Sequence, residues 1–194
     1  MAGGRVRIIA GRWRGRRLGV EDEPDVRPTP DRVRETLFNW LAPDLPGARC
    51  LDLFAGSGAL GFEAVSRGAA HAVLVDRSRA VCDRLRGECD RLGGADGSVT
   101  VVEADALDWL GLPRAAHSPF DIVFVDPPQR LEVHREVAAR LAEHGWLAPD
   151  ARVWFEVVRR REPPDLPAGW TLLKSGRAGE VRYHLACISH RLSS

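Results

Sequence analysis

Residues 49–61, Arg-Cys-Leu-Asp-Leu-Phe-Ala-Gly-Ser-Gly-Ala-Leu-Gly, constrain the fold more than any other stretch of the chain. Cys50, Leu51, Leu53 and Phe54 form a short apolar run interrupted only by Asp52. That is the pattern of a strand buried on both faces of a sheet. Gly56, Ser57 and Gly58 break the run, and helix-friendly Ala59-Leu60-Gly61-Phe62-Glu63-Ala64 follows. In a strand–glycine turn–helix unit the backbone can approach a ligand closely, and the helix offers unpaired N–H groups. The stretch predicts a nucleotide-type ligand site.

The remainder of the chain repeats this alternation. Strands are expected at Ala72–Val75, Val99–Val102, Asp121–Val125 and Val153–Val158, with helices at Arg79–Leu92, Asp105–Leu110 and Leu131–Glu143. Repeated βαβα units imply an α/β fold, a doubly wound, mostly parallel sheet with helices on both faces. Trp170–Lys174 and Val181–Ile188 flank a glycine-bearing turn and read as a terminal antiparallel hairpin. With 194 residues, one core is the expectation. Residues 29–194 are assigned to it, and residues 1–28 to a basic N-terminal arm.

Net charge is only +1, but its distribution is uneven: the first twenty residues hold six arginines and no acid. Arg5–Ala10 and Arg16–Val20 are expected to pair as a hairpin carrying Arg5, Arg7, Arg12, Trp13, Arg14, Arg16 and Arg17. Arginines interleaved with a tryptophan suit phosphate contact and base stacking; a charged edge hairpin that only resists aggregation is the plain alternative. Thr29-Pro30-Asp31 supplies a helix start, with Thr29 as N-cap and Pro30 at the first helical position. Val33, Leu37, Trp40 and Leu41 share one face of that helix. From spacing alone, Arg27, Arg32 and Arg34 belong to its solvated edge. Cys50, Cys82, Cys89 and Cys187 lack ligand spacing and read as buried small hydrophobes. No metal is expected, no apolar run is long enough for a membrane span, and a cytoplasmic protein is the simplest expectation.

Four acids fall at successive strand ends: Asp52, Asp76, Asp105 and Asp126. Ligands in such sheets bind outside those ends. Gly56-Ser57-Gly58-Ala59-Leu60-Gly61 matches the G-x-G-x-x-G dinucleotide fingerprint. Asp52, however, would repel a pyrophosphate, whereas it would attract the ammonium and sulfonium of S-adenosylmethionine. Asp76 is placed to accept from two ribose hydroxyls and Asp105 from an adenine amine. Phe54, Ala55, Arg77 and Ala106 flank these positions and complete the expected cofactor site. Asp126-Pro127-Pro128 decides the chemistry. Two prolines end the strand and remove backbone donors, leaving acceptors that suit an exocyclic amine. Holding both amine hydrogens turns its lone pair towards a methyl donor.

These motifs, with Arg7–Leu18, Arg27–Leu41, Leu51–Gly61 and Gly179–Tyr183, resemble the RsmD family of bacterial ribosomal RNA methyltransferases over nearly the whole chain. The family lies within the class I, Rossmann-like S-adenosylmethionine-dependent methyltransferases. The resemblance implies a seven-stranded sheet in the order 3-2-1-4-5-7-6, with strand seven antiparallel. It implies methylation of the N2 amine of one guanine, a 966-type site, in 16S ribosomal RNA, as naked RNA or within an assembling small subunit. It places Arg27, Arg32 and Arg34 at the border of the cofactor and target pocket. It makes Asp126, Pro127, Pro128 and Gln129 the catalytic motif, where Gln129 stands in place of the family's usual aromatic residue. A monomer is expected. A DNA amine methyltransferase, a nicotinamide-dependent oxidoreductase and a non-catalytic RNA-binding protein are the competing readings. Asp52 opposes the second, and the third leaves the strand-end acids idle.

Overall fold

The computed structural model describes residues 4–20, 29–112, 119–128, 131–158 and 165–188. Its main sheet contains β3 (Arg49–Asp52), β4 (His71–Asp76), β5 (Val99–Glu103), β6 (Phe120–Val125), β7 (Leu147–Val158), β8 (Trp170–Ala178) and β9 (Val181–Ile188). The strand order is β5-β4-β3-β6-β7-β9-β8. Numbered within the sheet, this is the expected 3-2-1-4-5-7-6. The pairs from β5 to β7 are parallel, and β9 runs antiparallel to both neighbours. The terminal hairpin therefore inserts its second strand against β7 and leaves β8 at the edge.

Helices α1 (Asp31–Leu41), α2 (Ala59–Ser66), α3 (Arg79–Leu92), α4 (Ala106–Leu110) and α5 (His134–Glu143) cover the sheet. Alternation within each strand divides the core into two layers. Cys50, Leu74, Ile122, Phe124 and Trp154 face the layer shared with α1, α2 and α3. Leu51, Val73, Val75, Val123, Val125 and Phe155 face the layer shared with α4 and α5. Such double coverage explains why strands β3, β4 and β6 are nearly continuous in apolar residues. The four cysteines are buried and free. Among the described residues no helix is long and apolar enough to cross a membrane.

The N-terminal residues form a second, two-stranded sheet of β1 (Arg5–Arg7) and β2 (Arg17–Gly19). Val6, Ile8, Trp13 and Leu18 are buried in the same layer as α1 and α2. A buried charged cluster clamps this hairpin in place. The Glu63 carboxylate accepts from the Ile9 and Ala10 amides at 2.7 and 3.0 Å and from Arg67 Nε at 2.6 Å. Arg34, fully buried, donates to the Arg7 carbonyl at 2.8 Å and to Asp31 at 2.6 Å, with Glu63 3.8 Å away. Gly11 adopts φ +82°, and a Cβ there would lie 1.7 Å from the Ser66 carbonyl oxygen. Only glycine permits that approach.

Two local expectations are corrected. Pro30, not Thr29, occupies the N-cap of α1, and no side chain caps that end; the Thr29 hydroxyl is used elsewhere. The last helix begins at His134 rather than Leu131. The connector at residues 21–28 lies outside the described residues.

Candidate active site and nucleic-acid face

The carboxyl ends of β3, β4, β6 and β7 bring four acids to one edge of the sheet: Asp52, Asp76, Asp126 and Glu156. Asp52 closes β3 and is 2 % exposed. Its Oδ2 accepts from the Gly61 amide at 3.1 Å, so the first strand is tied to the helix beyond the turn. The turn itself hangs between neighbouring strands. Leu53 N–H donates to the Phe124 carbonyl at 3.2 Å and Ala55 N–H to the Val75 carbonyl at 3.0 Å. Gly58 has φ +74°, and a Cβ there would collide with Phe62 and Leu85 at 2.6 and 2.7 Å. Phe54 is half-buried and Ala55 buried beside it; Ser57 Oγ accepts from the Ala59 amide at 3.3 Å.

Asp76 grips the turn from the next strand. Its Oδ2 accepts from the Gly56 amide at 3.0 Å and its Oδ1 from the Ser78 amide at 2.9 Å. Each oxygen keeps a second lone pair for a ligand hydroxyl. Arg77 beside it is exposed. Asp105 is exposed and caps α4, accepting from the Leu107 and Asp108 amides at 2.9 and 3.4 Å. Ala106 is buried behind it.

Burial drives the electrostatics. Desolvation pushes the Asp52 carboxyl up to about 7, and the neighbouring charges of Asp126 and Asp76 add to it, while the Gly61 and Phe54 amides oppose it. Asp126 is raised chiefly by burial, against a hydrogen bond from Thr29. Glu156 is raised by burial and then by the charge of Asp126. Like charges gathered away from water repel, and an added cation relieves them. The acceptor-rich, anionic edge therefore fits a ligand carrying ammonium and sulfonium charge. It misfits a pyrophosphate.

Asp126, Pro127 and Pro128 follow β6 directly, with Pro127 buried and Pro128 half-buried. Thr29 Oγ1 donates to Asp126 Oδ2 at 2.9 Å, across 97 residues of sequence. Gln129 and Arg27 lie outside the described residues. Sequence reasoning missed Glu156, although its signal is present: a lone acid inside the apolar run Val153-Trp-Phe-Glu-Val-Val158. It also missed Arg84 of α3, which donates to the Gly19 carbonyl of the hairpin and, at 2.9 Å, to the Gly56 carbonyl of the turn.

The hairpin arginines are not equivalent. Arg5, Arg14, Arg16 and Arg17 are exposed, and among the described residues no ion pair engages them. Arg12 is held by Asp96 at 3.3 Å and Ser98 at 2.9 Å, while Arg7 lies 3.7 Å from Asp31. Two expected nucleic-acid contacts are corrected. Trp13 is 7 % exposed and packs edge-on against Phe62 with ring centroids 6.1 Å apart; the Arg12 guanidinium sits 4.3 Å from its ring. Its face is used inside the protein, because the hairpin needs an apolar anchor on α2. Arg34 is consumed by the Glu63 cluster, so of the α1 arginines only Arg32 faces solvent.

Residues 6–187 match a protein family described as Conserved hypothetical protein 95. The chain is 47% identical over 182 residues to ribosomal RNA small subunit methyltransferase D of Escherichia coli, covering 94% of this chain and 89% of that protein. It is 42% identical over 185 residues to the Haemophilus influenzae protein of the same name, covering 95% and 94%. A solved structure of a putative methyltransferase from Escherichia coli superposes with a TM-score of 0.88 at 44% identity, over 97% of this chain and all of that one (100%). With the family match spanning nearly its whole length, the chain belongs to the RsmD family, the ribosomal RNA small subunit methyltransferases D.

Proposed function

We propose that this protein transfers a methyl group from S-adenosylmethionine to the N2 amine of a guanine in 16S ribosomal RNA. The observation that carries the reading is the placement of Asp126-Pro127-Pro128 beside Asp52 and the glycine turn at one sheet edge. The relatives named above act on the small-subunit ribosomal RNA, which supports the substrate class.

The residues fit the cofactor. Asp52 supplies a buried negative charge, the Gly56–Gly58 turn admits close backbone approach, and Asp76 and Asp105 offer acceptors for ribose and adenine. When bound, S-adenosylmethionine supplies an electrophilic methyl carbon on a cationic sulfur. The chain's own residues then handle the amine. The Asp126 carboxylate and Pro127 carbonyl accept its two hydrogens and turn the nitrogen lone pair towards the methyl carbon. Asp126 would take the amine proton released as the nitrogen gains the methyl carbon and sulfur keeps the bonding electron pair. Positioning for this in-line displacement supplies most of the rate. The guanine must leave its stack to reach the edge. Arg14, Arg16, Arg17 and Arg32 are assigned to phosphate contact, which fixes the RNA without reading sequence.

Asp126→Ala and Asp126→Asn test the assignment. Alanine should remove nearly all turnover, asparagine should retain part of it, and cofactor affinity should stay within about two-fold in both. Full turnover in Asp126→Ala would remove the residue from the reaction.

A further inference from the structure

The reaction above leaves one half-buried acid, with a buried carboxyl oxygen, without a task. Glu156 follows Phe155 on β7, and Phe155 is the register partner of Val125. Glu156 therefore stands beside Asp126, where the parallel strands end. Its Oε2 is buried and has no hydrogen-bond partner among the described residues. A carboxyl oxygen left unpaired in a core is costly, and an apolar residue would fill a strand position such as this at no such cost.

Thr29 connects the two acids. Its hydroxyl donates to Asp126 Oδ2 at 2.9 Å and also faces the Glu156 carboxyl, where a donated hydrogen would lower the pKa of that group. A hydroxyl has one hydrogen and two lone pairs. With that hydrogen given to Asp126, Thr29 can offer Glu156 only a lone pair, which a neutral carboxylic acid can use and a carboxylate cannot. We propose that Glu156 is a positioning residue for methyl transfer, a neutral acid that acts through Thr29 to hold the Asp126 carboxylate in the orientation that receives the amine. The proposal rests on the assignment of Asp126 made above.

Charge and surroundings agree with that assignment of the proton. Two carboxyls in one buried site cannot both ionise easily. Glu156 faces the charge of Asp126 and is held well above the ordinary carboxylate range by burial and by that charge. Asp126 has the Thr29 hydrogen to stabilise its ionised form. Other titratable groups on neighbouring elements include His134 of α5, Tyr183 of β9 with Arg182 and His184 beside it, Asp52 at the end of β3, which interacts with Asp126, and Asp31 and Arg34 of α1, which pair with each other at 2.6 Å. His134 Nε2 meets the Glu156 backbone oxygen at 2.8 Å, not the carboxyl. Tyr183 is the register partner of Glu156. No described cation pairs with the Glu156 carboxyl.

The test compares Glu156→Gln, Glu156→Ala and Asp126→Asn in the full chain, measuring kcat against pH on ribosomal RNA, with cofactor affinity and thermal unfolding as fold controls. Glutamine keeps the shape and a donor for Thr29 but cannot ionise. Glu156→Gln should keep kcat within about threefold at neutral pH and should lose the alkaline decline that ionisation of Glu156 gives the wild type. Glu156→Ala should lower kcat about tenfold with cofactor affinity unchanged. If Glu156→Gln is as impaired as Glu156→Ala, a charged Glu156 is required and the proposal is overturned. It is equally overturned if wild type and Glu156→Gln share one alkaline profile, a comparison that stands even where the alanine variant does not fold. Failure of the underlying reading looks different: Asp126→Asn would then turn over at the wild-type rate whatever the Glu156 variants do.

Discussion

Thr29 and Asp126 meet through a single 2.9 Å hydrogen bond that ties the entry to α1 to the end of β6. The residue expected to cap a helix instead orients a carboxylate. Hydrogen bonds to charged groups contribute about 1.5–3 kcal/mol, and this one holds the Asp126 pKa down against burial. Thr29→Val should therefore raise it. The acidic limb of the kcat profile should move to higher pH, and turnover at pH 7 should fall about tenfold. Cofactor affinity measured by calorimetry should not change. An unmoved acidic limb would show that the hydroxyl does not govern Asp126.

Asp52 is expected to couple pH to both stability and cofactor binding. Its carboxyl is raised from 3.8 to about 7 in the folded chain. Between those values the unfolded state ionises and the native state does not, so apoprotein stability falls as pH rises through that window. Above about 7 the penalty is complete, on the order of 2–4 kcal/mol. Asp52→Asn keeps an acceptor for Gly61 and should unfold at higher temperature than wild type at pH 8. A cationic cofactor requires the ionised form, so wild-type affinity should weaken about tenfold per pH unit below 7. In Asp52→Asn, affinity should be weaker at pH 8 and nearly independent of pH. Equal pH dependence in both proteins would contradict this role.

Arg84 joins the hairpin to the glycine turn, donating to Gly19 and Gly56 carbonyls from one guanidinium. Lysine offers a point charge in place of the planar fork and cannot span both acceptors in the same way. Arg84→Lys should weaken S-adenosylmethionine binding by about tenfold, and Arg84→Ala by no less. Titrations showing wild-type affinity in both variants would mean that the turn is rigid without the bridge.

For the hairpin, the structure separates arginines that the sequence presents as one patch. Neutralising Arg14, Arg16 and Arg17 together should flatten the dependence of log affinity on log salt by about 0.7–0.9 for each phosphate no longer neutralised. Arg12→Gln should change the slope less, because Asp96 and Ser98 already hold that guanidinium. Filter binding at several salt concentrations reads both. A triple variant with the wild-type slope would leave the hairpin as a structural element only.

Much of this molecule is legible in its sequence because the fold's signals are local. Apolar runs ended by Asp52, Asp76 and Asp126 mark strands buried on two faces, and Gly56–Gly58 marks the turn. What the sequence conceals involves partners remote along the chain. Arg34 looks like a solvated helix edge by its spacing, yet Glu63 and the Arg7 carbonyl draw it inside. Trp13 looks like a stacking platform, yet it anchors the hairpin on Phe62. Thr29 carries a strong capping signal that a residue 97 positions away overrides. Glu156 is readable by the criterion that singles out Asp52, an acid interrupting an apolar strand. It lies within its strand and away from any turn motif, so no neighbouring signal marks it.

The most direct measurement is methyl transfer from labelled S-adenosylmethionine onto undermethylated small ribosomal subunits and onto naked 16S ribosomal RNA, followed by nucleoside mass spectrometry. Label is expected in N2-methylguanosine alone, at one position of the RNA, and none when Asp126 is replaced by alanine. Label in another nucleoside, or undiminished transfer by Asp126→Ala, would contradict it.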